Sequence, residues 1–260
     1  MRLIGHGIIL ILTLMLADYT HAASSAPVKS KTSVWSGTVQ IKRTFTVPKG
    51  KTLEIRPGSK ILFSKGSGLL VKGTLKAVGR KGEEIVFTSA KNGTPGSWDE
   101  IRIEKAGDSV MEHCIIENAT WGIQSHFTRL NLVACTFRNS EGGIRFRSGP
   151  LTISKCLFTG NRIGIRSYQG IAQISESDFT DNEVGIFVRE KGGGLNITRS
   201  NLFRNSTYNI KMGDFNDEDV KAAGNWWGRD DPSATIFDAG IEPGIGRVLF
   251  EPFSNERILW

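Results

Sequence analysis

Cationic and aromatic side chains recur at two fixed positions of a repeated segment between residues 110 and 214. Guanidinium groups form paired hydrogen bonds with carboxylates, and aromatic rings stack on apolar faces such as those of sugars. These residue types therefore predict a surface that binds an acidic polysaccharide. The residues predicted to form it are His126, Arg145, Arg147, Arg166, Tyr168, Arg189 and Lys211.

The elements that position these side chains follow from the repeat itself. The sequence contains CIIENATWGI, CTFRNSEGGI, CLFTGNRIGI, SDFTDNEVGI and NLFRNSTYNI in succession. The first four copies are spaced by 21 residues and the last step is 24. Aligning the copies gives two apolar columns, Ile116, Phe137, Phe158, Phe179 and Phe203, and then Ile123, Ile144, Ile165, Ile186 and Ile210. A unit this short cannot bury its apolar side alone, so the copies must stack into a solenoid with one continuous core.

Apolar letters alternate within each copy, which is the two-residue period of β-strands. Gly, Asn and Asp interrupt the strands at every corner, and about 21 residues suffice for three short strands and three turns. The sequence thus predicts an all-β chain, a single-stranded parallel β-helix of about eight coils with N- and C-terminal caps. In the strand that begins at the isoleucine column, residues one and three positions further on should face outward, which places the predicted binding residues on one sheet.

The pattern resembles the right-handed parallel β-helix proteins of the pectin-lyase-like superfamily. The resemblance extends to the stretch beginning GKTLEIRPGSKILF and to Gly224-Asn225-Trp226-Trp227-Gly228, which is similar to an NWWG-type motif at the end of many such domains. It implies the fold more than the function, because lyases, hydrolases, epimerases and adhesins share this scaffold. We expect the two tryptophans to cap the last coil, with a platform for stacking on sugars as the alternative.

The chain divides into four predicted regions. Residues 1–22 are typical of a signal peptide, with Arg2, an apolar run from Ile8 to Leu16 and cleavage after Ala22. Residues 23–33 form a predicted disordered leader, 34–228 the β-helix and 229–260 a capping tail. The apolar run is too short to span a bilayer. We therefore predict an exported protein, periplasmic or extracellular, without a transmembrane anchor.

Three cysteines, Cys114, Cys135 and Cys156, share one inward column, two residues before the aromatic one, which Ser177 and Asn201 continue. They are expected to be buried thiols, although a disulfide between two neighbours remains an alternative. No cofactor is predicted. The acidic stretch of Asp214, Asp217, Glu218 and Asp219 leaves calcium as an alternative to a plain turn.

The formal net charge of +7 and the predicted export together favour an anionic envelope polymer over nucleic acid as the partner. The main hypothesis is a non-catalytic protein that binds or organises an acidic polysaccharide, because the regular coils contain no clear acidic cluster. Glu176 and Asp178 form an isolated outward pair, with Lys155 and Ser200, then Leu157 and Leu202, expected beside them. The alternatives are a lyase, hydrolase or epimerase for a uronate polymer and a structural assembly protein. The arginines could also be an ordinary solvated face neutralised by Glu141, Asp181, Glu183 and Glu190.

Overall fold

The computed structural model describes residues 31–91, 93–213 and 215–260, so the predicted signal peptide and most of the leader lie outside the described residues. The described chain winds into three parallel sheets, here called A, B and C. Each complete coil contributes one strand to each sheet, in the order A, B, C. The fold is the predicted all-β, right-handed parallel β-helix.

Eight coils are complete. The first three contain β1 (Thr32–Trp35), β2 (Thr38–Ile41), β3 (Phe45–Val47), β4 (Thr52–Ile55), β5 (Lys60–Phe63), β6 (Leu69–Val71), β7 (Thr74–Val78), β8 (Ile85–Ser89) and β9 (Trp98–Glu104). The next three contain β10 (Ser109–Glu112), β11 (Cys114–Glu117), β12 (Ala119–His126), β13 (Leu130–Val133), β14 (Thr136–Arg138), β15 (Gly142–Arg147), β16 (Leu151–Ser154), β17 (Leu157–Thr159) and β18 (Ile163–Tyr168). The last two contain β19 (Ile171–Ser175), β20 (Asp178–Thr180), β21 (Val184–Arg189), β22 (Gly194–Thr198), β23 (Asn201–Phe203) and β24 (Tyr208–Met212). Beyond them lie β25 (Val220–Lys221), a 3-10 helix (Pro232–Thr235), β26 (Ile236–Phe237) and β27 (Val248–Leu249).

The apolar columns lie inside the coils. Phe137, Phe158 and Phe179 are fully buried, and their rings stack with centroids 4.9 and 4.7 Å apart. The isoleucine column continues without a break from Ile123 to Ile236, one residue per coil of sheet C. Residues separated by 21 are therefore vertical neighbours in the regular coils, as the repeat predicts.

The prediction was wrong at the last copy of the aromatic column. Phe179 pairs with Leu202, and Phe203 lies one position further on, against Trp226. Ser200, rather than Asn201, follows Ser177 in the cysteine column, since the Ser177 amide donates to the Ser200 hydroxyl. The physical reason is the location of the extra residues. The turn after β21 is two residues longer than its predecessors, and the turn after β23 is one residue longer. Sheet B therefore advances by 23 residues at this step, and a uniform step of 24 assigns its residues to the wrong positions.

Glycines precede the isoleucines because the backbone there passes close to the core rings. A Cβ on Gly143 would lie 3.1 Å from the Phe158 ring and 2.5 Å from the carbonyl oxygen of Gly164 in the next coil. Any larger residue would push two coils apart.

A column of buried asparagines closes the corner between sheets B and C. Asn182 donates to the Phe158 carbonyl and to Asn205 Oδ1, and its own Oδ1 accepts from the Asn161 amide. Backbone groups in the turns, which have no sheet partner, are satisfied in this way.

The predicted boundaries shift slightly. Strand β1 begins at Thr32, inside the predicted leader, and the tail after residue 228 adds β26 to sheet C and β27 to sheet A. Trp227 is buried at the end of the core, with Phe250 against its ring. Among the described residues, no helix has the length and apolar character needed to cross a membrane.

The stacked core predicts a large difference between inward and outward positions. Phe158→Ala should lower the free energy of unfolding by about 3–5 kcal/mol, because it empties a packed aromatic site. Arg166→Ser on the outer face of the same coil should change it by less than about 1 kcal/mol. Chemical denaturation measures both, and equal losses would contradict the assignment of inward and outward faces.

Candidate functional site

The outer face of sheet C carries a groove of about 620 Å³ that crosses coils three to seven. Its walls come from the residues one and three positions after the isoleucine column, since these side chains alternate with buried ones. Five arginines and one glutamate are among the lining residues. We call it the arginine groove, and it is lined by Arg102, Gln124, His126, Arg145, Phe146, Arg147, Arg166, Tyr168, Arg189 and Glu190.

Six of the seven predicted binding residues line this groove, and one does not. Lys211 lies on the same sheet in coil eight, with its Nζ 5.6 Å from the Phe187 ring and 5.5 Å from the Phe237 ring. Phe187 separates it from Arg166 along the outward column. Lys211 is therefore a neighbour of the groove and not part of its lining.

Glu100 is the principal carboxylate beside the groove. Its side chain is 10% exposed, and it accepts hydrogen bonds from Arg102 Nε at 2.7 Å and from Arg145 Nη2 at 2.7 Å. A single carboxylate thus bridges two arginines. Close like charges repel each other, so this pairing lowers the cost of stacking cations on neighbouring strands.

Trp121 forms an aromatic platform under two of the arginines. Its ring is 5.3 Å from the Arg145 guanidinium and 6.0 Å from that of Arg166. Trp121 pairs with Gly142 in the next coil, and a Cβ at Gly142 would collide with the indole. Glycine at position 142 is thus what lets the ring lie against the sheet. Cation–π contacts then hold both guanidinium groups above the sheet.

Two arginine side chains have buried donors that the described part of the chain does not satisfy. The Nε groups of Arg145 and Arg147 are buried and meet no acceptor among the described residues. Arg147 is held in place by its Nη2, which donates to Gln169 Oε1 at 3.2 Å, and by the Tyr168 ring at 4.9 Å. A buried N–H without an acceptor is costly, so each of these arginines is held in place with one donor left unsatisfied by the described residues.

The titratable groups of the groove are shifted by their surroundings. Burial, together with the positive charges of Arg145, Arg102 and Arg147, lowers the pKa of His126, although Glu104 opposes this. The imidazole is therefore neutral near pH 7. A hydrogen bond to Glu190 raises the pKa of Tyr168, so its phenol stays protonated.

The alternative hypothesis, that turn carboxylates neutralise the arginines on an ordinary solvated face, is only partly supported. Glu190 lines the groove, but Asp181 pairs with Arg204 at 2.7 Å on another corner. The carboxylate that pairs with two groove arginines, Glu100, is not one of the four predicted from the sequence.

The isolated pair Glu176 and Asp178 has the predicted neighbours Lys155 and Leu157 on one side and different neighbours on the other. Glu176 lies near Lys155 and Arg199, and Asp178 pairs with Asn201 instead of Leu202. Asp178 is buried because the end of the chain covers it, with Arg257 Nη2 at 2.7 Å and Trp260 Nε1 at 3.2 Å. This carboxylate anchors the C-terminal tail, and this structural role accounts for its burial without any catalytic role.

The cysteine and acidic candidates show no binding geometry in the described chain. Cys114, Cys135 and Cys156 are buried free thiols, and burial raises the pKa of Cys114 and Cys156. Among the described residues no group of three or more His, Cys, Asp or Glu is arranged to hold a metal ion. Asp214 of the acidic stretch lies outside those residues.

Arg102 in the groove lining, and Glu100 and Trp121 beside it, are not predicted from the sequence. Glu100 and Arg102 lie in coil three, before the regular copies begin, and a register shift separates their pairings with β12. The signal that could have found Trp121 is Gly142, which stands one coil later where the other copies have Ile163 and Val184.

Stacked parallel coils with a cationic groove on one sheet define the class of this protein, a right-handed parallel β-helix. Residues 121–226 match the family model described as right handed beta helix region. No curated protein matches the chain.

The chain also has weak overall similarity to solved structures. A variant of the periplasmic alginate epimerase AlgG is 12% identical with a TM-score of 0.46, over 86% of this chain and 76% of that one. The A-module of the Azotobacter vinelandii mannuronan C-5 epimerase AlgE6 is 11% identical with a TM-score of 0.37, over 86% and 91%. At these values the similarity says nothing about the chemistry of this chain.

The Trp121 platform can be tested through Gly142. Gly142→Ala should displace the indole, loosen Arg145 and Arg166, and shift tryptophan emission to the red as the ring becomes wet. In a Trp121→Leu background the same substitution should have little further effect on the affinity for a polyanion. An equal loss of affinity in both backgrounds would show that Gly142 acts on the fold and not through the ring.

Proposed function

We propose that this chain binds an acidic polysaccharide, or another carboxylate-bearing polymer of the cell envelope, in the arginine groove. The observation that carries the proposal is the convergence of five arginines on one open groove, lined among others by Arg102, Arg145, Arg147, Arg166 and Arg189. The protein would be exported, as the predicted signal peptide suggests. Binding alone, without a reaction, is the main form of the proposal.

The length of the groove supports a polymer over a small anion. Its lining residues belong to five consecutive coils, and four steps at the inter-strand spacing of about 4.8 Å amount to roughly 19 Å. Several carboxylates in a row could then meet Arg145, Arg166 and Arg189 in turn. A single anion would engage only one or two of these arginines.

The chemistry of the groove also supports sugar binding. Arginine forks recognise carboxylates through two parallel hydrogen bonds. Tyr168 supplies an aromatic face and a hydroxyl held by Glu190, the combination that suits a ring with apolar and polar sides. The groove is open to solvent, so a long polymer can enter it from the side.

A second candidate function, a lyase or epimerase for uronate polymers, is favoured by one specific observation. His126 carries a lowered pKa, so it is a neutral imidazole that could accept a proton. Arginines beside it could stabilise the negative charge that develops on a carboxylate. A lyase would leave an unsaturated sugar end, and an epimerase would exchange the proton at the reacting carbon with solvent.

The binding proposal is tested by removing two groove arginines together. Arg145→Ser with Arg166→Ser should weaken retention on immobilised alginate or pectate by about tenfold or more, because each lost charge-assisted bond is worth about 1.5–3 kcal/mol. Arg80→Ser with Arg162→Ser removes the same charge from exposed turns and is the matched control. Unchanged retention of the groove variant, or an equal loss of retention in the control, would refute specific binding in the arginine groove. Absorbance of unsaturated ends and solvent-proton exchange in the same incubations report whether a reaction occurs.

The groove should also respond to pH through His126. A bound carboxylate stabilises imidazolium, so the complex takes up a proton and affinity should rise as pH falls from neutral into the acidic range. His126→Asn should remove this dependence and leave the affinity near pH 7.5 almost unchanged. Titration calorimetry in buffers of different ionisation enthalpy measures the proton uptake. If the pH dependence persists in His126→Asn, another titratable group is responsible for it and the prediction is wrong.

A further inference from the structure

Charge is strongly segregated along the axis of the β-helix. Residues 31–73, which form the first two coils, contain nine Lys or Arg and a single acid, Glu54. The first coil presents Lys42 and Arg43 in an open hollow beside Phe45. This end of the solenoid is therefore strongly cationic.

The opposite end has the opposite sign. Residues 215–260, which follow the eighth coil and cover the C-terminal end of the solenoid, contain nine Asp or Glu against four Lys or Arg. Glu242 and Glu251 are exposed there. Such segregation is independent of the arginine groove, which lies on the side of the coils.

Both ends also present incomplete sheets and apolar side chains. Among the described residues, β1 and β27 are the outermost strands of sheet A, and β3 and β26 those of sheet C. Val34 and Phe45 are 51% and 38% exposed at one end, while Ile241 and Leu249 are 56% and 45% exposed at the other. Unpaired edges with apolar side chains favour pairing with another chain.

The signs of the two ends decide which partner fits. Two cationic ends repel each other, and so do two acidic ends, whereas a cationic end and an acidic end attract. All strands of sheet A run parallel from β1 to β27, so a second copy placed beyond β27 would continue that sheet with its own β1 in the same direction. We propose that the cationic first coil of one copy docks onto the acidic C-terminal end of a second copy, formed by residues 215–260, head to tail. Because this contact is heterologous, it can repeat and give short coaxial filaments.

Sedimentation velocity of the purified chain tests the proposal over a range of concentration and salt. The mean mass should rise with concentration at low salt and fall toward the monomer at high salt, because exposed charges are screened. Lys42→Glu with Arg43→Glu should weaken association by about tenfold or more. Arg162→Glu with Lys191→Glu changes the net charge equally on exposed turns in the middle of the chain, and should associate like the parent.

A mixing experiment separates the head-to-tail contact from other modes. Glu242→Lys with Glu251→Lys should also prevent self-association, but a mixture of this variant with Lys42→Glu/Arg43→Glu should associate, because one native junction is restored. A chain that stays monomeric throughout, association lost equally in the Arg162/Lys191 control, or no recovery in the mixture would each overturn the proposal. Arginine-groove binding is measured separately, so either conclusion can fail alone.

Discussion

The structure depends on in-register stacking of equivalent residues on successive coils. Each inward side chain packs on its own counterpart one coil away, as Phe137, Phe158 and Phe179 do with nearly parallel rings. Backbone groups in the strands bond to the coils above and below, and the asparagine column satisfies those in one corner. A side chain is therefore stabilised mostly by its vertical neighbours, and the fold is an approximately one-dimensional sum of coil interfaces.

The same stacking creates the electrostatic problem that makes the arginine groove distinctive. If inward residues stack on identical partners, outward residues do so too, and Arg145 lies directly beside Arg166. Stacked cations would destabilise a bare sheet. Here Glu100 bridges Arg102 and Arg145, and the Trp121 indole lies beneath Arg145 and Arg166. These groups pre-orient the cations, which reduces the entropy lost when an anionic polymer binds.

The sequence was enough to predict the coil architecture and the outward columns, because a period of 21 determines which residues stack. It failed where the period changes. Leu202 replaces Phe203 in the core since the added residue comes after the aromatic position and not before it. Glu100 and Trp121 escaped for another reason: their role comes from contacts across coils with unlike sequences, and no repeat marks such contacts. The sequence also predicts Lys211 as a groove residue. It belongs to the same outward column as Arg145 and Arg166, but the position of a residue in a column does not indicate how far along the axis the groove extends.

The corners of the coils have a consequence for how such a protein can change. Many corner residues adopt left-handed backbone, among them Ser148, Gln169 and Glu190 after successive strands of sheet C. The turn after β21 contains two additional residues, yet β22 resumes its register with β19. Length variation is thus absorbed at the bends without disturbing the strands. Loops of new composition could be acquired beside Tyr168 and Arg189, so recognition at the rim of the groove can diversify while the scaffold stays constant.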